Sequence, residues 1–289
     1  MKQISKLLKY NWAYLLWFGV YLFIGTIVIH LFVESAGLSF LYAIIIYGIS
    51  IAIALSPIGE MILRAIEGAT PVLTQEEKEY LLPLFYEVYE QAKEKTPEIS
   101  PEINLYIAES MTVNAFAAGR KTIAVTRGAI EALDREQLKG ILAHEFGHMA
   151  HNDTKALLIT LVGNGFFSLI IFVLKFFMDL LQTIFVAIQG RNIILVFLSI
   201  LTWLSRLLID IATIVFVLFG NILLSFNSIL NECRADSYAY TIGYGEQLIS
   251  SLYLLRKISL PSKMTLLERL TATHPHIDIR IERLEQMEK

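Results

Sequence analysis

Residues 142–153 read Leu142-Ala143-His144-Glu145-Phe146-Gly147-His148-Met149-Ala150-His151-Asn152-Asp153. Histidines four positions apart share one face of a helix, with Cβ atoms about 6 Å apart. Two imidazoles so placed can grip one zinc ion, and the glutamate after the first then sits beside the metal's open position. Zinc brings the pKa of a bound water to about 7, and Glu145 can take its proton. Leu138, Ile141 and Leu142 precede the pentad at helical spacing, so the segment reads as an amphipathic helix, with Asp134 as its N-cap. The bland alternative is a helix with two solvated histidines.

A catalytic zinc site wants a third protein ligand. His151 lies two turns beyond His144 on the same helix, roughly 10 Å along its axis, too far to share an ion with it. The pattern with a third histidine six residues after the second would need one at position 154, which is Thr154. Asp153 is also too far along the helix. A residue from a separate helix is easier, and Glu232 in Asn231-Glu232-Cys233-Arg234-Ala235-Asp236 is the best choice. Asp236, one turn on, can accept the second N–H of a ligand histidine and fix its orientation. Without the pentad, Glu232 and Asp236 would read as a solvated helix end. A third cluster, Thr273-His274-Pro275-His276 with Arg280, offers donors for the oxyanion of a tetrahedral intermediate. Its bland reading is a turn before a final amphipathic helix over residues 279–287.

The composition around these clusters is that of a membrane protein. Of 289 residues, 55% are hydrophobic and only 18% charged, against about 25% charged in soluble domains; mean hydropathy is +0.56. Net charge is −3, which gives no reason to expect a nucleic-acid partner. The single cysteine, Cys233, excludes an internal disulfide and fits a reducing compartment.

Four long apolar runs occupy residues 12–33, 38–55, 156–188 and 193–230. A spanning helix needs about 20 apolar residues. The first two runs meet that and form a hairpin across the turn Glu34-Ser35-Ala36-Gly37. The first exceeds the roughly 7–15 residues of a signal-peptide core and reads as an uncleaved anchor. The third is interrupted by Lys175 and Asp179, and the fourth contains Arg206 and Asp210, which can pair at i, i+4. Lysines 2, 6 and 9 precede the first run, and Arg64 and many lysines follow the second. The positive-inside rule therefore expects both ends of the hairpin in the cytoplasm.

His148 and Glu232 must meet, so the chain between them crosses the membrane an even number of times. As a helix the fourth run would be about 57 Å long, against a bilayer core of about 30 Å. It is expected either to break near residues 203–210 or to extend into the cytoplasmic domain.

Residues 57–152 read as a soluble insert. Thr74 and Glu77 form a capping-box pattern for a helix to about Lys95. Residues 103–108 alternate like a strand, and residues 113–118 and 122–126 flank a hairpin turn at Gly119-Arg120-Lys121. The expected division is 1–56 N-terminal transmembrane hairpin, 57–152 cytoplasmic catalytic part with the metal helix, 153–230 third and fourth apolar helices, and 231–289 the remainder of the catalytic domain.

The three clusters, in this order and with these apolar runs between them, resemble the HtpX-type membrane zinc metallopeptidases, relatives of the CAAX prenyl endopeptidases. The resemblance extends over essentially the whole chain. His144-Glu145-x-x-His148 matches the family's metal helix, Glu232-x-x-Ala235-Asp236 its glutamate-ligand motif, and His274-Pro275 with Arg280 its transition-state pair. Asn114, Ala115, Phe116 and Ala117 match the strand that binds substrate backbone. Cys233 stands where an aromatic residue is frequent and His276 where a second proline is frequent; both departures bear on substrate details.

The resemblance implies an α+β, mainly helical integral membrane protein, with a gluzincin-like zinc peptidase domain (helices plus a small sheet) and about four transmembrane helices. It implies one Zn2+ per chain and an endopeptidase acting on membrane proteins or their cytoplasmic regions, in quality control or stress response. The partners are polypeptide substrates and the lipid bilayer. The setting is multi-pass in the cell membrane, with the N-terminus and active site facing the cytoplasm.

Two competing readings are weaker. An intramembrane-cleaving metalloprotease would embed the pentad in lipid, but Asp134, Arg135, Glu136, Lys139, Asn152 and Asp153 surround it. A non-proteolytic scaffold or metal sensor has no need of Glu145 beside the metal.

Overall fold

The computed structural model describes residues 2–163, 165–188, 190–258 and 277–288. The first two apolar runs fold as α1 (Lys2–His30) and α2 (Ala36–Ala54), and α3 (Pro57–Ile66) follows immediately. Ser56 caps α3 by accepting from the Ile58 N–H, and Pro57 fits its first turn because no N–H is needed there. The outer face of α3 exposes Ile58, Met61 and Ile66, while its inner face buries Glu60 and Leu63.

The chain then runs β1 (Ala69–Pro71), α4 (Gln75–Lys95), β2 (Asn104–Ala108), β3 (Ala115–Ala118), β4 (Thr122–Thr126), α5 (Arg127–Ala132) and α6 (Arg135–His151). The capping box expected at Thr74 and Glu77 is present. The strands form one mixed sheet in the order β1-β2-β4-β3, with β2 parallel to β4 and the other pairs antiparallel. β4 is buried along its whole length, which is why its Ile-Ala-Val centre is apolar on both faces. β3 is an edge strand. β1, the opposite edge, was not expected from the sequence: three residues ending in proline carry no alternation to read.

The chain next forms α7 (Asp153–Leu158), a π-helical turn (Ile159–Gly163), α8 (Gly165–Ile188) and α9 (Ile193–Thr241), and ends in α10 (Gly245–Ile258) and α11 (Ile277–Glu288). α9 is unbroken over 49 residues, about 73 Å of helix. Of the two outcomes expected for the fourth run, the break near residues 203–210 is not found, and the end of the helix packs into the main core through Tyr238 and Ala239. Arg206 binds Asp179 of α8 at 3.0 Å as well as Asp210 one turn on, and Lys175 reaches Asp210 at 2.8 Å. The charges in the two apolar runs thus neutralise one another between α8 and α9.

Four helical stretches are long and apolar enough to cross a bilayer, within residues 12–30, 36–54, 153–188 and 193–241. α1 packs on α9, Trp17 stacking on Phe216 with centroids 4.5 Å apart. Many large apolar side chains of α8 and α9 face outward, as lipid solvation requires. The main core lies below them, where α4, α6, α10, α11 and the end of α9 bury Phe85, Phe146, Leu142, Leu248 and Leu284 with the sheet.

Candidate metal centre

The site is built on α6. Asp134 caps it and Gln137 returns the bond to the Asp134 N–H, closing a capping box. Leu138, Leu142, Phe146 and Met149 turn one face into the core, leaving His144, Glu145 and His148 toward α9. The two helices touch where Gly147 meets Ala235: a Cβ on Gly147 would lie 2.8 Å from the Ala235 Cα. That close approach lets Glu232, one turn before Ala235, reach both histidines.

His144 Nε2 lies 3.2 Å from His148 Nε2. Glu232 lies 3.4 Å from each, Oε2 against His144 and Oε1 against His148. Zinc bonds of about 2.1 Å in tetrahedral geometry put neighbouring ligand atoms about 3.4 Å apart. The two histidine nitrogens are thus spaced close to one edge of a zinc coordination tetrahedron, Glu232 turns one oxygen toward each, and one atom from each residue lies within 4.8 Å of the others. All three residues are largely buried.

The remaining imidazole nitrogens fix the tautomers. His144 Nδ1 is 2.8 Å from Asp236 Oδ1, and His148 Nδ1 is 3.3 Å from Asp153 Oδ2. A carboxylate facing Nδ1 demands a proton there, which leaves the lone pairs on both Nε2 atoms pointing at one another and at Glu232. Neutral imidazoles have nothing to gain from that convergence; a cation between them does. Burial and the Arg280 charge lower the His144 pKa, but Glu232 and Asp236 outweigh them and raise it. Burial likewise opposes protonation of His148, yet Asp153 and Glu232 hold it well above the ordinary imidazole value. The field that favours a proton at these nitrogens favours a dication more.

Arg280 stands behind the trio. Its Nε and Nη2 donate to the two Asp236 oxygens at 2.9 and 2.6 Å, and its Nη1 lies 3.2 Å from Glu232 Oε2. It is buried. Among the described residues it is not part of the cavity that contains Glu145. His274 and His276 lie outside the described residues. His151 meets the Gly147 carbonyl through Nδ1 at 2.8 Å and packs on Tyr238, away from the trio.

Glu145 is buried, but its carboxylate borders a cavity of about 540 Å³ shared with His148, Glu232 and residues 114–117 of the β3 region. No protein hydrogen bond to that carboxylate is found among the described residues. Asn114, Ala115, Phe116 and Ala117 thus line the same cavity as Glu145, His148 and Glu232, along the edge of the sheet. The cavity continues along the membrane-side helices past Tyr14, Asn221, Ser225 and Ser228.

Asp153 is the functional residue that sequence reasoning missed. On a continuous helix it lies too far along the axis to meet the histidines. The helix ends at Asn152, whose φ of 62° is left-handed, and the reversal swings Asp153 back onto His148. An asparagine directly after the last histidine is the available signal, since asparagine is a favoured left-handed helix terminator.

A helix-borne histidine pair, a glutamate from a second helix and a carboxylate facing the shared cavity make a zinc metallopeptidase centre. The chain belongs to Peptidase family M48, whose model matches residues 79–288. It is similar to Protease HtpX of Thioalkalivibrio sulfidiphilus, 27% identical over 208 residues covering 65% of this chain and 66% of that protein. It is also similar to a Protease HtpX homolog of Picrophilus torridus, 28% identical over 246 residues covering 82% of this chain and 71% of that one. The chain thus spans about two thirds of the length of these relatives. The fold matches the crystal structure of S. mikatae Ste24p with TM-score 0.50 at 19% identity, over 98% of this chain and 65% of that one. The protein is a multi-pass membrane protein of the HtpX type.

Proposed function

We propose that the protein is a zinc-dependent endopeptidase that cuts membrane proteins or their cytoplasmic regions. The observation that carries this reading is the cavity itself. His148, Glu232 and Glu145 line it together with residues 114–117 of an edge strand able to pair with an extended peptide. Substrate would add beside residues 114–117 by backbone pairing.

His144, His148 and Glu232 would hold the zinc, which when bound supplies Lewis acidity at the scissile carbonyl. Glu145 accepts the proton given up by the attacking water at a carboxylate oxygen, then delivers it to the leaving amine nitrogen. Asp236 and Asp153 keep the two Nδ1 protons in place. Arg280 holds Asp236 and Glu232, so we assign it to orienting the ligands. His274 is assigned to the oxyanion on the family resemblance.

The continuation of the cavity past Tyr14, Asn221, Ser225 and Ser228 supports substrates that approach from the membrane. The basic residues flanking the α1–α2 hairpin support a cytoplasmic active site. Similarity to Protease HtpX supports the peptidase reading, and a part in membrane-protein quality control is what the resemblance to that family implies.

The test is proteolysis of casein and of a membrane-protein fragment by the detergent-purified chain, wild type against Glu145→Gln, with zinc or a chelator. Cleavage that needs both zinc and Glu145 is expected. Stoichiometric zinc binding with equal, trivial cleavage by both proteins would overturn the reading.

A further inference from the structure

We propose that Glu60, on the helix that follows the second membrane span, is a positioning residue for the substrate-binding edge of the site. The proposal rests on the reading of β3 as that edge.

β3 is four residues long and paired on one side only, to β4. An edge strand so short holds its position poorly by its own ladder, yet an added peptide can pair with it only where its backbone groups stay in register. The strand is pinned at both ends. At its start, the Thr126 hydroxyl accepts from the Asn114 N–H at 3.0 Å and donates to the Asn114 carbonyl at 2.7 Å.

At its end, the pin comes from α3. Glu60 Oε1 accepts from the Arg120 N–H at 2.8 Å, and Oε2 accepts from the Thr122 hydroxyl at 2.8 Å. Thr122 in turn accepts from Arg64 Nη1 at 2.8 Å. Both carboxylate oxygens are therefore spent on the β3–β4 turn. Gly119 is left-handed at φ 61°, and a Cβ there would overlap the Glu60 side chain, so turn and carboxylate interlock. Leu63, one turn on from Glu60, packs with Ala118 of β3 and Leu158 of α7.

Glu60 is 7% exposed. A buried carboxylate is costly unless its lone pairs are met, and a three-residue hairpin turn needs none to form. Its cation, Arg64, lies 4.0 Å away, so the hydrogen bonds to the turn are its close partners. What the arrangement provides is registration: the edge that receives substrate is fixed to the helix that leaves the membrane.

The experiment uses the full chain in detergent, loaded with zinc, as wild type, Glu60→Gln and Glu60→Ala. The substrate is a peptide that the wild type cuts, compared with versions N-methylated at one backbone nitrogen at a time around the cut. In the wild type, methylation at the nitrogen that pairs with β3 is expected to raise KM about three- to tenfold, the worth of one hydrogen bond.

In Glu60→Ala the unmodified peptide's KM is expected to rise about tenfold while zinc content holds and kcat stays within about threefold, and the methylation penalty is expected to shrink below about twofold. Glu60→Gln keeps the shape and one acceptor, so it is expected to fall between the two. If Glu60→Ala does not fold, the same comparison is read on Glu60→Gln. An undiminished methylation penalty, or zinc content, kcat and KM failing together, overturns the proposal and leaves Glu60 a brace for folding. If no methylation matters in the wild type, the reading of β3 falls, and this proposal with it.

Discussion

Replacing Gly147 by alanine inserts a methyl group where α6 and α9 touch. The new Cβ would lie 2.8 Å from the Ala235 Cα, 2.9 Å from its carbonyl oxygen and 3.2 Å from its Cβ. Carbon atoms rest at about 3.5–4.0 Å, so the helices must part by roughly 0.7–1 Å at the crossing. Glu232 is one turn from Ala235 and moves with it. Its oxygens, now 3.4 Å from each imidazole nitrogen, would retreat to about 4 Å, beyond the ±0.2 Å that metal–ligand distances tolerate. Overpacking of this kind costs about 1–3 kcal/mol. Expressed at the metal, that is about a 5- to 150-fold loss of zinc affinity. The assay is competition against a chromophoric chelator, with thermal unfolding in parallel. Gly140→Ala is the control: a Cβ there overlaps the α10 backbone at Gln247 and Leu248, away from the trio. It should lower thermal stability but leave zinc affinity within about twofold. Wild-type affinity in Gly147→Ala, or an equal loss in Gly140→Ala, would refute the idea that this contact sets the ligand spacing.

The other predictions concern the groups behind the ligands. Asp153→Ala removes the acceptor at His148 Nδ1 and should weaken zinc binding about 10- to 100-fold, while Asp153→Asn, which keeps an acceptor oxygen, should lose less; equal affinity in all three proteins would show the contact to be incidental. Arg280→Lys cannot grip Asp236 with two parallel bonds, and it should lower zinc affinity while activity recovers at saturating zinc. An oxyanion role would instead leave affinity intact and cut kcat about 10²- to 10³-fold. The pH dependence has a definite sign. Both ligand histidines have raised pKa values in the folded chain, so in chelator their protonated forms stabilise the fold below the unfolded imidazole pKa, and that stability is lost as pH rises through the folded values. Zinc competes with those protons, so its stabilisation should grow as pH rises from the ordinary imidazole pKa of about 6.5 through the raised folded values. Thermal unfolding with and without chelator across that range measures both trends, and zinc stabilisation that is flat with pH would contradict the assignment of these histidines as ligands.

What was legible in the sequence was whatever one helix or one turn decides by itself. The i, i+4 histidines, the cap at Asp134, the capping box at Thr74 and the Gly119-Arg120-Lys121 turn depend on spacing that no tertiary contact has to supply. Glu232 and Asp236 were legible because a metal needs a third ligand and the chain offers few carboxylates where an apolar run ends. Asp153 was hidden because its role depends on one backbone angle at Asn152. The placement of Arg280 was hidden because guanidinium donors suit an oxyanion and a buried carboxylate pair equally well; the packing of α11 decides which one it meets. The pairing of Arg206 with Asp210 was readable along one helix, but Lys175 and Asp179 join it only once α8 lies beside α9. Glu60 gave no signal at all, since a glutamate on a short amphipathic helix looks solvated until the hairpin turn closes over it.

The start of α7 ties the histidine trio to β3, the proposed substrate edge. Asp153 faces His148 Nδ1, while its neighbour Thr154 donates to the Gly119 carbonyl at 2.6 Å. One helical turn therefore touches a metal ligand with one residue and the end of β3 with the next. Ligand and edge carried on independent loops would drift independently, and catalytic geometry must hold within about 0.5 Å. Here their separation is set by the rigid geometry of adjacent residues, and Asn152 alone aims both. The left-handed turn at Asn152 is thus more than a helix stop: a residue that resists that conformation would displace Asp153 and Thr154 together, loosening the ligand and the strand in one step.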